Sequence, residues 1–383
     1  MQNQKHLFKL DPSVIYLNGA YMSPQLKSVA AVGLSCVEKK YHPHLILEED
    51  FFAEKATLKK RFAHLIEATD FETVAIIPSV SYGIAIAANN IPFEKGDEII
   101  VLEEQFPSNY YAWKALEAEK GVVVRTIAAP ESKEGRGASW NNRILETIGP
   151  KTKCVAIPHC HWTDGTLFNL KKIRERSNEV QAYLIIDGTQ SVGALPFSVA
   201  EIQPDALICA GYKWLLGPYS LGVAYYGERF HNGTPIENNW MNHTGVENFS
   251  NLANYNPQLK PKATRYDVGE SSNFILTPML SEAIKQLNKW TPHNIQQYCK
   301  NISETAISKL RAAGHFIEED NFRSHHLFGL YPKSSSEIEK IKETLSKEKI
   351  YVSYRGKSIR ISPNVYNTEE DLMKLATCCS NIM

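Results

Sequence analysis

Ala206-Leu207-Ile208-Cys209-Ala210-Gly211-Tyr212-Lys213-Trp214-Leu215-Leu216-Gly217-Pro218 is the stretch whose reading decides the fold. Its apolar opening, Ala206-Leu207-Ile208-Cys209, is short and reads as a buried strand. The chain leaves that strand and presents an amine, Lys213, at the carboxyl end, where open α/β sheets bind ligands. Upstream, Tyr183-Leu184-Ile185-Ile186 ends the same way in Asp187-Gly188-Thr189-Gln190. Two such strands, if adjacent, offer a carboxylate and an amine to one crevice.

The surrounding pattern fits a sheet. Thr73–Ile77, Glu98–Leu102, Gly121–Arg125 and Cys154–Pro158 read as strands, with helical stretches such as Tyr110–Glu117 between them. This alternation predicts an α/β fold with a mainly parallel sheet covered by helices. Beyond about Pro261 the pattern changes. One long helical region runs from Pro278 towards Ala313, then strand-like His326–Tyr331 and a charged helix from Glu337 to Lys347. Ile350–Tyr354, Ser358–Ile361 and a final helix complete a smaller α+β unit. The expected division is an N-terminal segment 1–20, a large domain 21–260 and a small C-terminal domain 261–383.

With 383 residues the chain can build two proper cores, and 43% hydrophobic with 22% charged residues is ordinary for a globular protein. Lysine plus arginine balance aspartate plus glutamate at 42 each, which gives no sign of a nucleic-acid or anionic-membrane partner. No run is long and apolar enough to span a bilayer, and Met1–His6 does not read as a secretory signal. The seven cysteines are scattered, without a CxxC pair, so a reduced, cytoplasmic setting is expected.

Chemistry concentrates at strand ends. Singly, an Asp-Gly after a strand is a turn and a lysine is a surface charge. In the order acid, lysine, Gly-Pro loop they match what pyridoxal phosphate needs: an amine for its Schiff base and a carboxylate to keep its pyridine nitrogen protonated. Ile76-Ile77-Pro78-Ser79-Val80-Ser81-Tyr82-Gly83 runs from a strand into an apolar helix. A helix N-terminus with free N–H groups suits phosphate; Ser79 and Ser81 add hydroxyls, and Gly83 is read as letting the backbone approach. The plainer alternative is a Ser N-cap. In His159-Cys160-His161, a continuing strand would put both histidines on one face and Cys160 on the other. A second ligand pair for zinc is missing, so no metal is expected. Arg360, in Ile359-Arg360-Ile361-Ser362-Pro363, suits bidentate carboxylate binding.

From Tyr16-Leu17-Asn18-Gly19-Ala20 to Arg360–Asp371 the chain resembles the class V aminotransferases. These are fold-type I pyridoxal-phosphate enzymes, and they include cysteine desulfurases, kynureninases and isopenicillin N epimerase-like enzymes. The resemblance implies a large, mainly parallel, seven-stranded-type sheet and an N-terminal segment packed near the small domain. It implies Lys213 as cofactor carrier and general base, and Asp187 as partner of the ring nitrogen. Ser79, Val80, Ser81 and Tyr212 fall at the phosphate, Phe106 on the ring face, and Gln190 near the ring's phenolic oxygen. Trp162 stands where relatives often carry Asn. Asn18, Ala20 and Arg360 fall at the amino-acid substrate. Gly269, Ser271 or Ser272, beside an unusual Glu270, would reach a neighbouring subunit's phosphate, which implies a homodimer with its active sites at the interface. Cysteine desulfurases need a nucleophilic cysteine shortly before the carboxylate arginine. The segment 350–359 has none, so the resemblance favours transamination or related Cα chemistry, with an epimerase-like, kynureninase-like or desulfurase/lyase reaction as alternatives and a catalytically inactive cofactor-binding protein as the non-enzyme alternative.

Overall fold

Along the central strands, successive apolar side chains alternate between two faces, and both faces are covered. The computed structural model describes residues 1–334 and 336–381. Its first eight strands are β1 (Ile15–Tyr16), β2 (Val74–Ile77), β3 (Glu98–Leu102), β4 (Val123–Ile127), β5 (Thr152–Pro158), β6 (Tyr183–Asp187), β7 (Ala206–Ala210) and β8 (Gly222–Tyr226). All but β1 form one seven-stranded sheet in the order β2-β8-β7-β6-β5-β3-β4. Only β8 runs antiparallel to its neighbours. Ile76, Ile100, Val155, Ile186 and Leu207 point into one core, while Ile77, Val101, Ala156, Ile185 and Ile208 point into the other. A mostly parallel sheet buried on both faces requires such continuous apolar strands.

The covering helices are α1 (Lys27–Lys39), α2 (Ala53–Leu65), α3 (Val80–Asn90), α4 (Tyr111–Lys120), α5 (Arg136–Thr147), α6 (Leu170–Glu179), the short α7 (Val199–Ile202) and α8 (Leu276–Trp290). The strand expected at Gly121 starts two residues later because Gly121, at φ +70°, caps α4 in the left-handed region. The long helix expected from Pro278 is two helices. Thr291, at φ +64°, ends α8 and caps α9 (Pro292–Ala312), accepting a hydrogen bond from the Asn294 N–H. Pro292 then occupies the first helical position, where its missing N–H costs nothing.

The last third builds a separate core. β9 (Phe328–Leu330), β11 (Ser353–Arg355) and β12 (Ser358–Ile361) form an antiparallel sheet, and β10 (Ile350–Tyr351) pairs in parallel with β1. Helices α9, α10 (Glu337–Lys347) and α11 (Glu369–Ser380) cover it. Leu17 from the N-terminal segment belongs to this core, which begins at Tyr298 on the C-terminal side. Helix α8 packs on α1 and α2, and its Leu280, Ala283 and Ile284 share a core with Leu58 and Phe62. A cut at 260/261 therefore separates α8 from the core it completes.

Asp267 ties the segment after residue 260 to this core. Its carboxylate accepts the Ile76 N–H at 2.8 Å and pairs with Lys55 at 3.2 Å and Lys59 at 2.9 Å, all buried. Burial drives the Lys59 pKa down to about 8 even against the Asp267 charge. Removing one partner of a buried ionic group leaves charge uncompensated, at a cost of about 3–5 kcal/mol. Asp267→Asn should therefore lower the denaturation midpoint strongly, whereas Lys262→Ala, whose ammonium sits in a surface pair with Asp70 and Glu72, should barely move it. A urea titration of both variants is the check.

Candidate active site

β6 and β7 are parallel neighbours in register, Asp187 opposite Ile208, so the two strand-end motifs open on the same edge of the sheet. Asp187 is buried, and its Oδ1 accepts the Thr189 N–H at 2.9 Å. Burial raises its pKa, while hydrogen bonds from Thr189 and the charge of Lys213 pull the other way. After β7 the chain turns tightly: Gly211 N–H donates to Leu221 O and Gly217 N–H to Gly211 O. The loop is held from outside by the Ser23 hydroxyl, which donates to Lys213 O at 2.5 Å. Lys213 is only 6% exposed, and its Nζ lies 5.1 Å from the centre of the Phe106 ring and 5.5 Å from that of Tyr212. Burial lowers its pKa to about 8, helped by the charge of Arg360 and opposed by Asp187.

The first turn of α3 faces the same space. Ser79 is the N-cap, accepting from the Tyr82 N–H at 3.2 Å, and its hydroxyl is 2.9 Å from that of Ser81. The first intrahelical bond runs from Gly83 N–H to Ser79 O, so the Val80 and Ser81 N–H groups lie ahead of the helical ladder. Gly83 has a different job from the one expected. A Cβ there would lie 2.8 Å from Ile208 and 2.9 Å from Ile77, so this glycine lets the helix seat on the sheet.

An inner cavity of about 310 Å³ is lined by Ser79, Val80, Ser81, Phe106, Trp162, Asp187, Gln190, Tyr212 and Lys213. An outer one of about 410 Å³ adds Ala20, Tyr21, Met22, Arg355 and Arg360 at the mouth, and Tyr219 lines both. Ala20 and Arg360 thus line one cavity with Lys213. Arg360 is 1% exposed; its Nη1 donates to Trp162 O at 2.9 Å and its Nη2 to the Ser353 hydroxyl at 3.4 Å. Burial, then Arg355, bring its pKa down to about 9.

Five expected residues stand differently. Asn18 lies behind the arginine, its Oδ1 accepting from the Ser353 hydroxyl at 2.7 Å, so it supports Arg360 rather than lining either cavity. Gln190 lines the inner cavity, but its amide bridges Ala20 O at 3.1 Å and the Trp214 N–H at 2.9 Å. Gly269 and Ser271 stand outside the cavity of their own chain. The Gly269 N–H is bonded to Glu237, and the Ser271 hydroxyl is buried without a partner. Trp162 turns its indole N–H away to Glu104 O at 2.6 Å and meets Phe106 edge-on at 5.3 Å, so it offers shape instead of the amide it replaces.

The strand β5 stops at Pro158, so the continuing strand on which the His159-Cys160-His161 alternation depended is not formed. Cys160 faces the cavity, His159 packs on Phe197, and His161 bonds Thr163 and Glu103 O. Among the described residues no three His, Cys, Asp or Glu converge as metal ligands. The sequence reading missed Thr189, Gln105, Tyr219 and Arg355. Thr189 could have been found from its place two residues after Asp187. Arg355 sits at the tip of a hairpin whose two-residue Gly356-Lys357 turn is a recognisable signal.

Only the neutral amine attacks an aldehyde, and it exists above the pKa. Borohydride trapping of a small aldehyde on Lys213 should rise with pH and reach half its maximum near pH 8, well below the pH that ordinary lysines require, at about 10.4. Peptide-resolved mass spectrometry measures this, and a Lys213 profile like that of surface lysines would refute the burial argument.

The Aminotransferase class-V family model matches residues 46–375. An uncharacterized aminotransferase of Schizosaccharomyces pombe, C777.03c, is 24% identical over 98% of this chain and 93% of its own length. The uncharacterized aminotransferase YcbU of Bacillus subtilis is 25% identical over 82% of this chain and 80% of its own. In structure the chain is similar to the apo cysteine desulfurase of Thermococcus onnurineus NA1, with TM-score 0.82 and 18% identity over 98% of this chain and 97% of that one. The fold is that of the pyridoxal-phosphate-dependent transferases of fold type I, and the chain belongs to the class V aminotransferase family.

Proposed function

We propose that this chain is a pyridoxal-phosphate-dependent enzyme acting at Cα of an α-amino acid, a transferase of the aminotransferase type. The observation that carries the reading is that Lys213 and Asp187 share one buried cavity with the N-terminus of α3. The residues fit the cofactor. Asp187 is a buried carboxylate that, among the described residues, has no ion-pair partner, so a protonated pyridine nitrogen would relieve its burial cost. The Val80 and Ser81 N–H groups and the Ser79 and Ser81 hydroxyls are donors for a phosphate. Phe106, beside Lys213 Nζ, supplies a flat apolar face.

When bound, the cofactor supplies an electron sink for charge that develops at Cα. Lys213 Nζ would hold it covalently, and its free amine would move the proton at Cα; a pKa near 8 suits both tasks. Asp187 keeps positive charge on the ring nitrogen. Arg360 holds the α-carboxylate and so fixes which Cα bond is presented. Phe106 and Trp162 exclude water from the reacting face. Persulfide chemistry is disfavoured: the segment 350–359 has no cysteine, and the buried Cys160 thiol is pushed up to about 12. Cys378 and Cys379 lie on α11, away from both cavities.

The proposal includes a homodimer in a reducing cytoplasm. Exposed Trp240 and Phe274 pack edge-on around Phe51 and Phe249, an apolar ring cluster at the surface of the kind that monomers rarely leave bare. All seven cysteines are unpaired, and no described helix is long and apolar enough to cross a membrane.

Borohydride treatment of the purified protein should fix pyridoxal on the Lys213 peptide, and Lys213→Ala should abolish the adduct. An unchanged adduct in that variant sinks the assignment. Asp187→Ala should retain bound cofactor yet lose turnover by several powers of ten, whereas serine at 378 and 379 should leave activity intact. Product analysis separates transamination from epimerisation and from hydrolytic side-chain cleavage.

A charged hydrogen bond to a buried carboxylate contributes about 1.5–3 kcal/mol. Arg360→Ala should therefore weaken α-amino acid binding about ten- to a hundredfold in a spectral titration. Arg360→Lys should recover part of this, because a point charge cannot make the paired contact. A variant that titrates like wild type makes Arg360 structural.

A further inference from the structure

Arg355 and Arg360 lie on the same face of the β11–β12 hairpin. Ser353 pairs with Arg360 and Arg355 with Ser358, and residues two apart on a strand share a face. Both guanidiniums lie against the same indole, their central carbons 5.4 Å and 5.9 Å from the centre of the Trp162 ring. Both line the outer cavity with Lys213. Neither forms an ion pair with any carboxylate among the described residues, and the Nε of each is buried without an acceptor. Arg360 faces the charges of Arg355 and Lys213 together with the Cys160 thiol and the Tyr16 phenol; Arg355 faces Arg360 and Lys213 together with the Tyr21 phenol. Among the described residues, the hydrogen bonds these guanidiniums make go to neutral acceptors: Trp162 O and Ser353 Oγ for Arg360, and Tyr354 O for Arg355 at 2.8 Å.

The mouth of the site is thus a cationic pair, partly dehydrated; Glu104 reaches the hairpin tip, its Oε1 3.8 Å from where a Cβ on Gly356 would stand, yet it pairs with neither arginine. Two guanidiniums that repel each other in a half-buried cleft raise the energy of the protein unless a ligand brings negative charge. The α-carboxylate of an amino acid satisfies one of them. Arg360, deeper and closer to Lys213 in its electrostatic influence, is the one that takes it. Arg355, nearer the tip of the hairpin, is left facing whatever the side chain carries.

We infer that the substrate is an α-amino acid whose side chain ends in a second carboxylate, with Arg360 binding the α-carboxylate and Arg355 the distal one. This rests on the reading of the site given above and narrows it to acidic amino acids. Arg355 is then a specificity residue, and the Trp162 ring is the surface against which both guanidiniums lie.

The test uses the cofactor-loaded enzyme and two kinds of probe. Spectral titration compares glutamate with glutamine and aspartate with asparagine, in wild type, Arg355→Gln and Arg355→Lys. Thermal unfolding compares glutarate and succinate with butyrate, none of which carries an amine, so that binding is read without chemistry at Lys213. Wild type should bind at least one acidic amino acid about ten- to a hundredfold more tightly than its amide. Arg355→Gln should weaken binding of the acid far more than that of the amide and so erase most of that difference, and Arg355→Lys should restore part of it. The dicarboxylates should raise the melting temperature of wild type more than butyrate does, and should lose that advantage in Arg355→Gln. Equal binding of acid and amide by wild type, or an undiminished preference in Arg355→Gln, overturns the inference even if amino acids titrate normally. Arg355-dependent stabilisation by dicarboxylates in an enzyme that no amino acid titrates upholds the paired anion site, and places the failure in the Cα chemistry. If Arg355→Gln does not fold, the acid-to-amide ratio in wild type and in Arg355→Lys decides.

Discussion

Burying the Lys213 amine is the constraint on which the rest of the structure depends. An ammonium stripped of water shifts towards its neutral form, and the charge of Arg360 pushes it further the same way. Asp187 opposes the shift without forming an ion pair, since it is taken up by Thr189. The amine therefore sits near its midpoint close to neutral pH, able to act as nucleophile and as base. A direct salt bridge to Asp187 would have fixed it as an ammonium and left no carboxylate for a ring nitrogen.

Holding three cationic groups around one crevice demands rigid support, and the fold supplies it from several parts of the chain. The N-terminal segment is a strap: Ser23 bonds the Lys213 backbone, Ala20 O accepts from Gln190, and Asn18 lies behind Ser353 and Arg360. Gln190 in turn holds the indole of Trp214, next to the lysine. The large sheet, the N-terminal strap and the C-terminal hairpin therefore meet at the site through hydrogen bonds between fixed positions. Side chains held this way need little reorganisation when charge appears.

Much of this was legible in the sequence because it follows from short-range pattern. The apolar runs gave the central strands, and the strand-end acid and lysine pointed to one crevice, which the parallel β6–β7 register provides. Ser79 and Ser81 were legible as a helix start. Less was visible where a long-range partner decides the outcome. Whether the Gln190 amide faces a ligand or Ala20 depends on a residue 170 positions away. Gly83 reads equally as a phosphate cradle or a packing glycine until Ile208 is brought beneath it. The break at Thr291 was within reach, since a residue before proline disfavours the helix, yet the apolar periodicity on either side hid it.

Trp162 shows how a departure from a family's usual residue reorganises its surroundings. An amide at this position would offer a hydrogen bond to a ring oxygen. The indole spends its only donor on Glu104 O and can give the site nothing but surface. That surface is used on two sides. Phe106 meets it edge-on towards the lysine, and the two arginines lie against it towards the mouth. Guanidinium groups stack on aromatic faces at low cost in hydration, so an indole holds two of them where an amide would have left them to water. The exchange removes one polar contact to the reacting centre and adds a platform for charge recognition at the entrance. On physical grounds it moves discrimination away from the ring and out to the side chain of the ligand.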